Sequence, residues 1–333
     1  MIGLSHRLPA EWEPQAALLL AWPFADGDWQ PMLDVIRREY IALIETVLRY
    51  QPVLLLTQPG CNDAQSMLGQ RNALRYIEAP YNDTWCRDYG PITLLHAQDQ
   101  SEPPLALDFY FNGWGGRHDA RLDNRVNSYL ARHTSFTGYE FRQSLLELEG
   151  GAIDSNGNGL VLVNRHCMRS RLEHLTDEVM DLELRQWLGA EHILSIEQPP
   201  LPGDDTDGHI DTLARFSHPQ RITFQSLRDA DATTKLLGQL EALRNADGRA
   251  FELTALPCPD DLDVARPASY ANFVLINDAV LVPQYGSRSD AEALRVLAEL
   301  FPERTAEPID ARALISQGGG PHCACMQIPK VPV

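Results

Sequence analysis

The chain has 333 residues, of which 44% are hydrophobic and 22% charged, a composition typical of a globular protein that excludes extended disorder. Its formal net charge of −18 disfavours binding to nucleic acid or to an anionic membrane, because like charges repel. The first residues lack the apolar core of a signal peptide and no stretch approaches the ~20 apolar residues of a membrane span, so we expect a cytoplasmic protein.

The cysteine content and the absence of a clear linker indicate the redox state of the thiols and the number of domains. Six cysteines in a chain of this length are sparse for a disulfide framework and favour reduced thiols. No low-complexity linker divides the sequence, and the best candidate, at 197–203, reads as a loop. We therefore predict one catalytic domain over residues 1–333, and the sequence leaves association of identical chains, as a homo-oligomer, open.

The first predicted elements form a strand–helix–strand unit. Residues 16–21 are a short apolar run, and residues 52–57 read as a buried strand. Residues 32–50 between them predict a helix, because apolar side chains keep helical spacing at Leu33, Ile36, Tyr40, Leu43, Ile44 and Val47.

The alternation of helix and strand continues along the chain. Helices are predicted near 176–188, 229–245 and 289–301, with strands nearby at 192–196, 251–255 and 305–309. Ser289 and Glu292 fit a capping box, in which each side chain accepts a hydrogen bond from the other residue's backbone amide.

Turn signals between short apolar segments predict hairpins in addition to the alternating helices and strands. Short strands are predicted at 151–153 and 160–164, and again at 272–276 and 279–283. A simple doubly wound sheet would not need these hairpins, and no Gly-x-Gly-x-x-Gly opens a helix after the first strand. The sequence therefore predicts an α/β architecture with weak internal repetition and disfavours a dinucleotide site.

The strongest chemical signal lies near the end of the sequence, at Cys323. Three glycines and Pro321 precede His322 and Cys323, and such a turned backbone suits the presentation of a reactive thiol. An ordinary loop cysteine explains the same residues equally well. Cys325 is expected to point elsewhere, and a zinc site of His322, Cys323 and Cys325 is disfavoured because a second cysteine pair is missing.

His209 and Asp211 form a second candidate pair. On a strand, their alternation would put the imidazole and the carboxylate on one side, as an acid/base beside an anionic anchor. A solvent-facing loop edge is the alternative. The acidic run before them lacks the EF-hand spacing, and the sequence contains neither a Walker loop nor a Gly-x-Ser-x-Gly elbow.

Further polar and aromatic residues leave a choice between a site and ordinary structure. Asp88 either stands at a turn or forms a surface pair with Arg87. Glu149 faces a site or caps a hairpin, Trp114 walls a site or fills the core, and Asn272 lines a site or satisfies a strand edge. The individual residues do not decide between these readings.

Taken in order, the motifs resemble the agmatine deiminase and bacterial peptidylarginine deiminase family over nearly the whole chain. They are Leu-Pro-Ala-Glu-Trp-Glu-Pro at 8–14, Ala-Trp-Pro at 21–23, Asn-Asp-Thr-Trp at 82–85, Arg-Asp-Tyr-Gly-Pro at 87–91, Phe-Asn-Gly-Trp-Gly-Gly at 111–116, Leu-Glu-Gly-Gly at 148–151, Gly-Asp-Asp-Thr-Asp-Gly-His-Ile-Asp at 203–211, Ala-Ser-Tyr-Ala-Asn-Phe at 268–273 and Gly-Gly-Gly-Pro-His-Cys at 318–323.

The resemblance implies a pentein fold, an α/β propeller of five ββαβ modules around a pseudo-fivefold axis. It also implies that Cys323 is the nucleophile, His209 the general acid/base, and Asp88 and Asp211 the catalytic anchors of a guanidinium group. No metal and no other cofactor is implied.

Substrate-lining positions are implied for Glu149, Asn272, Trp85 and Trp114. The chain departs from the family pattern in two places. The family commonly has Cys-Leu-x-x-x-Arg-Asn-Pro after the Glu-Gly-Gly hairpin, whereas this chain has Cys-Met-Arg-Ser-Arg-Leu-Glu at 167–173. The tryptophan-rich loop that follows Trp-Pro is shortened to residues 24–29.

The implied reaction is hydrolysis of a small cationic guanidino compound, with agmatine as the expected substrate. Paired carboxylates would hold the cation while Cys323 forms a covalent thiouronium intermediate. Agmatine suits the acidic chain, and no basic partner for the α-carboxylate of free arginine is identifiable. The alternatives are a deiminase of peptidyl-arginine or another guanidine, a cysteine-dependent amidase, and a polyamine-binding protein.

Overall fold

The computed structural model describes residues 5–99 and 102–330. The strands in these residues are β1 (His6–Arg7), β2 (Gln15–Ala21), β3 (Val53–Thr57), β4 (Leu74–Glu78), β5 (Ile92–His96), β6 (Leu105–Tyr110), β7 (Glu140–Glu147), β8 (Ile153–Ser155), β9 (Leu160–Asn164), β10 (His192–Ile196), β11 (Ala214–His218), β12 (Arg221–Gln225), β13 (Glu252–Leu256), β14 (Val274–Ile276), β15 (Ala279–Gln284), β16 (Thr305–Asp310) and β17 (Cys325–Pro329).

The α-helices in the same residues are α1 (Leu33–Val47), α2 (Asp63–Leu68), α3 (Cys86–Tyr89), α4 (Gly113–Gly116), α5 (Val126–Leu130), α6 (Arg165–Arg171), α7 (Asp177–Leu188), α8 (Ala230–Ala242) and α9 (Asp290–Leu300). None of the described helices is long and apolar enough to cross a membrane.

The strands form five small sheets that repeat one pattern. In each sheet two strands pair antiparallel, and the chain then passes through one or more helices to a third strand that runs parallel to the second. β8 and β9 pair antiparallel with Ile153 opposite Val163, and β10 then lies parallel to β9 with Ile193 beside Val161. The repeated unit is therefore a ββαβ module.

Local sequence signals set the limits of α7, which links β9 to β10. Thr176 accepts a hydrogen bond from the backbone amide of Val179 and so caps the first turn. Gly189 ends the helix with a positive φ of 61°, which costs glycine little. Met180, Leu184 and Leu188 recur at helical spacing and bury one face.

The last module closes the ring of sheets. Its antiparallel pair joins β17 to β2, with Cys325 opposite Leu20, although these residues are far apart in the sequence. β3 and β4 extend this sheet as parallel strands, and the side chains of β3 are all buried. The last described strand and the second one therefore share one sheet.

A short turn precedes the first strand of each module, and these turns meet at the centre. Helix α3 contacts the 3₁₀ turn Gly150–Ala152, which contacts Ile210–Thr212, which in turn contacts Tyr270–Asn272. The Asn272 side chain then accepts from the backbone amide of His322 at 3.0 Å, and the Cys323 carbonyl accepts from the Arg87 amide at 3.2 Å. The turns thus form a closed ring.

The structure agrees with most of the predicted helices and strands. The helix at 32–50 is α1, the helix at 176–188 is α7, and the strand at 192–196 is β10. The hairpins at 153–164 and 274–284 are present, but residues 151–152 and 272 belong to the preceding 3₁₀ turns. Those turns, and not the strands, bring the backbone to the centre of the ring.

Two sequence predictions about local structure are wrong. Ser289 is the N-cap residue of α9, as predicted, but its side chain forms no capping bond, because the hydroxyl donates to the Cys258 carbonyl at 2.8 Å and accepts no amide of the helix. His209 and Asp211 do not lie on a strand, since the chain forms a 3₁₀ turn there and β11 begins only at Ala214.

Candidate active site

The ring of turns gathers one polar side chain from each module. All five are buried, and each stands within a few residues of the first strand of its module: Asp88 before β5, Glu149 before β8, Asp211 before β11, Asn272 before β14 and Cys323 before β17. Residues that are up to 235 positions apart in the sequence therefore lie together in one polar centre.

Cys323 lies at this centre with its thiol between two of the other side chains. Asn272 donates from Nδ2 to the sulfur at 3.2 Å, and Asp211 Oδ2 lies 3.7 Å from the same sulfur. Burial, together with the carboxylates of Asp211 and Asp88, raises the pKa of the Cys323 thiol well above its usual value. The resting residue is therefore a neutral thiol.

His209 stands between two carboxylates. Its Nδ1 is 3.6 Å from Asp88 Oδ1, and its Nε2 is 3.8 Å from Glu149 Oε2. Burial opposes protonation of the ring, but Asp88, Cys167 and Glu149 outweigh it and raise the pKa of His209 well above the usual value. His209 is thus held as an imidazolium that can donate a proton.

Asp88 is held in place by two donors. Trp114 donates from Nε1 to Asp88 Oδ2 at 2.9 Å, and the Gly151 amide donates to Oδ1 at 3.1 Å. Burial raises the pKa of Asp88 to about 6, although neighbouring His209 opposes the shift. The indole of Trp114 therefore orients Asp88 as well as lining the cavity.

Glu149 forms a buried ion pair that the sequence analysis did not find. Arg171 Nε donates to Glu149 Oε1 at 2.5 Å, and Arg171 also donates to Asp207 Oδ2 at 2.6 Å. Burial opposes ionisation of Glu149, yet His209 and Arg171 lower its pKa below the usual value. Arg171 belongs to the 167–173 segment that departs from the family pattern, so spacing gave no reliable signal for it.

Several buried polar atoms of the site have no hydrogen-bond partner among the described residues. They are Glu149 Oε2, Asp211 Oδ1 and both ring nitrogens of His209. Unpaired buried oxygens of this kind are costly, and a planar cation with several N–H groups would satisfy them. The arrangement can therefore hold a guanidinium group beside the Cys323 thiol.

The glycines of two motifs leave room for this packing. A Cβ atom at Gly151 would lie 2.5 Å from His209 Nδ1, and one at Gly320 would lie 2.5 Å from Asn272 Oδ1. At Gly319 a Cβ would meet the ring of Trp85 at 2.3 Å. These positions exclude any side chain because the backbone itself forms the wall of the site.

A buried network of ion pairs lies behind the site. Its centre is Glu11, which was not predicted to be a site residue. His322 lies between Asp211 Oδ2 at 2.7 Å and Glu11 Oε1 at 2.8 Å, and Glu11 also pairs with Arg87 and Arg215. Burial opposes the ionisation of Asp211, but His322 lowers its pKa below the usual value. The network keeps Asp211 anionic.

The disfavoured zinc set of His322, Cys323 and Cys325 is not brought together as ligands. Both ring nitrogens of His322 face carboxylates, and Cys325 Sγ instead contacts the His322 carbonyl at 3.6 Å. Burial raises the pKa of the Cys325 thiol to about 12. Cys325 is a packed thiol behind the site.

A cavity of about 200 Å³ lies over Cys323 and Asp88. Trp85 and Trp114 form its walls, and its other acidic lining residues are Asp28, Asp83 and Asp205. Among the described residues that line it there is no arginine and no lysine. The cavity shares Asp28, Asp83, Trp114 and His118 with a wider outer groove.

The shortened loop at 24–29 takes part in this cavity. Trp29 is buried, donates from Nε1 to Thr84 Oγ1 at 2.8 Å and packs against Trp85 with ring centroids 5.7 Å apart. Asp28 next to it lines the cavity. The loop thus supports an aromatic wall and supplies one acidic side chain.

Comparison with known proteins agrees with this fold. Residues 7–329 match the Porphyromonas-type peptidyl-arginine deiminase family. A Legionella pneumophila protein named "Putative agmatine deiminase" is 32% identical over 97% of this chain and 94% of its own. A Cys-to-Ser variant of C. jejuni agmatine deiminase with substrate bound has a TM-score of 0.89 at 32% identity, covering 98% of this chain and 97% of its own.

An agmatine deiminase of Enterococcus faecalis has the same TM-score of 0.89 at 23% identity, which supports the fold alone. The five ββαβ modules are those of the pentein fold, as the sequence motifs predicted. The chain belongs to the Porphyromonas-type peptidyl-arginine deiminase family.

Proposed function

We propose that the protein is an agmatine deiminase that hydrolyses agmatine to N-carbamoylputrescine and ammonia. The observation that carries the proposal is the pair of unpartnered buried oxygens, Glu149 Oε2 and Asp211 Oδ1, in the centre that holds the Cys323 thiol. A planar cation with several N–H groups would satisfy these two oxygens, and the thiol is the nucleophile that can attack a guanidinium carbon.

In the proposed mechanism the substrate's guanidinium lies between Asp88, Glu149 and Asp211. Its positive charge stabilises the thiolate of Cys323, whose thiol proton is released to solvent, and the thiolate attacks the central carbon and forms a C–S bond. His209, already an imidazolium, gives its proton to the departing nitrogen, and ammonia leaves. The product of this first half is a covalent thiouronium.

The second half uses the same residues in reverse. His209, now neutral, takes a proton from water, and the resulting hydroxide adds to the thiouronium carbon. The C–S bond breaks and its electron pair returns to Cys323, whose sulfur takes the proton of the added hydroxyl, and the neutral ureido product is released. This sequence is hydrolytic and needs no redox or metal cofactor.

Agmatine is favoured over arginine and peptidyl-arginine by the charge of the cavity. Asp28, Asp83 and Asp205 line it beyond the walls formed by Trp85 and Trp114, where the ammonium end of agmatine would lie. The α-carboxylate of free arginine would be repelled by these aspartates. A peptidyl-arginine would present no second positive charge to them. We propose that the domain, residues 1–333, acts on this small substrate in the cytoplasm.

The proposal is tested by measuring ureido product and ammonia with agmatine, free arginine and a blocked arginyl peptide. We expect kcat/KM to be about 100-fold higher for agmatine than for either other substrate. Equal or better turnover of the peptide would contradict the substrate assignment. Absence of product from all three would contradict deimination as a whole.

The Cys323→Ser variant provides the matched control for the same assay. It should bind agmatine and release no ammonia, because a hydroxyl at this position lacks an activating base. A polyamine-binding protein would release no ammonia even with Cys323 present, so the wild-type assay distinguishes the two.

A further inference from the structure

Cys167 has no part in the proposed mechanism, but it lies beside two residues that do, Glu149 and His209. One ligand atom each from Glu149, Cys167 and His209 lies within 4.8 Å of the others, and all three residues are buried. Glu149 Oε2 and His209 Nε2 are 3.8 Å apart. Cys167 reaches this place because α6 begins directly after β9.

The donor set is the one that zinc prefers. Thiolate, imidazole and carboxylate bind Zn²⁺ at ~2.0–2.3 Å, so neighbouring ligand atoms of a tetrahedral ion lie roughly 3.5 Å apart. The three ligand atoms lie within 4.8 Å of one another and come closer by side-chain rotation when the ion binds. Glu149 Oε2 and both His209 nitrogens have no hydrogen-bond partner among the described residues, so these donors are available.

The surroundings orient these donors in the way that is usual for metal ligands. Arg171 holds the other oxygen of Glu149, Oε1, at 2.5 Å, which leaves Oε2 directed to the group. Asp88 Oδ1 faces His209 Nδ1 at 3.6 Å, which favours Nε2 as the ligand atom. A carboxylate behind a ligating histidine and a fixed ligating carboxylate are typical of zinc sites.

The local charge also suits a divalent cation. Arg171 pairs with the carboxylates of both Glu149 and Asp207. Asp88 and Asp211 add further negative charge at the same centre. These four carboxylates outnumber the two cationic groups beside them, the Arg171 guanidinium and the His209 imidazolium.

We propose that Glu149, Cys167 and His209 form a zinc-binding site that is occupied when no guanidine is bound. Binding releases the thiol proton of Cys167 and the imidazolium proton of His209 to solvent, and forms Zn–O, Zn–S and Zn–N bonds. A fourth position of the tetrahedral ion is left for water.

Zinc and substrate would exclude each other. Glu149 and His209 are both needed for the reaction, so Zn²⁺ acts as a reversible inhibitor that competes with agmatine. This consequence rests on the proposed function, whereas the metal site itself does not. A borderline-soft transition cation is expected, and Mg²⁺ or Ca²⁺ should bind weakly because the site includes a thiolate.

The test is titration of the metal-free protein with Co²⁺, a spectroscopic substitute for zinc, without substrate. Wild type and Cys323→Ser should both give sulfur-to-cobalt charge-transfer absorption at one ion per chain, and added Zn²⁺ should abolish it. Cys167→Ala should lose the band. Cys258→Ala, which removes a half-buried thiol far from the group in sequence, should keep it.

Folding of Cys167→Ala is checked by circular dichroism and thermal unfolding, and Cys167→Ser serves as a second, more conservative variant. The proposal is overturned if the band persists in both Cys167 variants, or if Cys323→Ser loses it while Cys167→Ala retains it. A cobalt band in a protein that deiminates nothing would leave the metal site standing, and deimination without the band would overturn the metal site alone.

Discussion

Asn272 binds both the sulfur of Cys323 and the backbone that carries it. Its Nδ2 donates to Cys323 Sγ at 3.2 Å, and its Oδ1 accepts from the His322 amide at 3.0 Å and from the Cys323 amide at 3.4 Å. One side chain therefore fixes the position of the thiol and favours its ionised form.

Asn272→Ala should lower kcat by about 10–100-fold, since a hydrogen bond to a charged group contributes about 1.5–3 kcal/mol. The alkylation rate of Cys323 should fall in parallel, whereas a purely structural role would lower the amount of folded protein instead. Asn158→Ala, on an exposed loop, is the control. Unchanged kcat in Asn272→Ala would show that the thiol does not depend on this contact.

Binding of substrate should increase the thiolate population of Cys323. The pKa of the resting thiol is raised by burial and by Asp211 and Asp88, and a guanidinium between these carboxylates reverses the electrostatic part of the shift. Ultraviolet thiolate absorbance should rise on rapid mixing with agmatine. The Cys323→Ser variant removes this signal and leaves the other cysteines, so equal changes in the two proteins would rule out substrate-assisted ionisation.

Replacement of the central glycines should remove activity while leaving the fold. In Gly151→Ala the new methyl group would meet His209 Nδ1 at 2.5 Å, and in Gly320→Ala it would meet Asn272 Oδ1 at 2.5 Å. We expect kcat/KM to fall by about 100-fold or more in each variant, because displacements near 1 Å are costly in catalysis.

The matched control for these variants is Gly238→Ala in α8, where a Cβ would meet nothing within 4 Å. It should retain full activity and gain roughly 0.5–1 kcal/mol of unfolding free energy from higher helix propensity. Steady-state kinetics and urea unfolding measure both effects. Normal activity in Gly151→Ala would mean that His209 can move without loss.

The Michaelis constant for agmatine should rise as the pH falls below about 6. Burial, together with the charge of nearby Asp28, raises the pKa of Asp83 to about 6, so the carboxyl loses its charge in this range. The ammonium end of the substrate then loses one of its partners in the cavity. In Asp83→Asn the Michaelis constant should be higher and should change less with pH.

Asp119→Asn is the control for this profile, because Asp119 lines only the outer groove and pairs with Arg121. Initial rates over a series of agmatine concentrations at each pH give the profile. Superimposable profiles for wild type and Asp83→Asn would contradict a role of Asp83 in holding the ammonium.

Stability should decline with rising pH through the ionisation of Glu39. This residue of α1 accepts from the Ala313 amide at 2.7 Å and the Leu314 amide at 3.2 Å, and burial raises its pKa from 4.5 to about 7. The folded state holds the proton more tightly than the unfolded state, so the contribution of Glu39 to unfolding free energy falls between these two pKa values.

In Glu39→Gln no proton has to be lost, so the variant should lose less stability than wild type between about pH 5 and about pH 8. Urea midpoints at both pH values measure the difference. A wild type and variant that change in parallel would show that other groups dominate the pH dependence.

Periodic elements were predictable from sequence, because their signal is local. Met180, Leu184 and Leu188 repeat at helical spacing, and β10 is a compact apolar run, so α7 and β10 lie where they were predicted. The capping bond of Ser289 was mispredicted because the Cys258 carbonyl, 31 residues away in sequence, binds its hydroxyl. Tertiary contacts override a capping pattern in such cases.

The site was predictable only in part for the same reason. Cys323, Asp88 and Asn272 stand in distinctive motifs, and the structure brings them together with Glu149, His209 and Asp211. Glu11 and Arg171 were missed because they act through ion pairs with residues that are distant in the sequence. Glu11 pairs with Arg215 and Arg171 pairs with Asp207, and no local pattern links the members of either pair. Their spacing in the sequence carries no signal of a buried ion pair.

The pairing of β17 with β2 affects the order in which the protein becomes reactive. Cys323 stands just before β17, which docks beside β2, and it follows the other four modules in the sequence, so all of them are synthesised before the thiol. A chain that stops before residue 323 holds the acidic residues without the thiol. Catalytic competence therefore reports completion of the whole ring, and incomplete chains are left inert with the edge of β2 exposed to self-association.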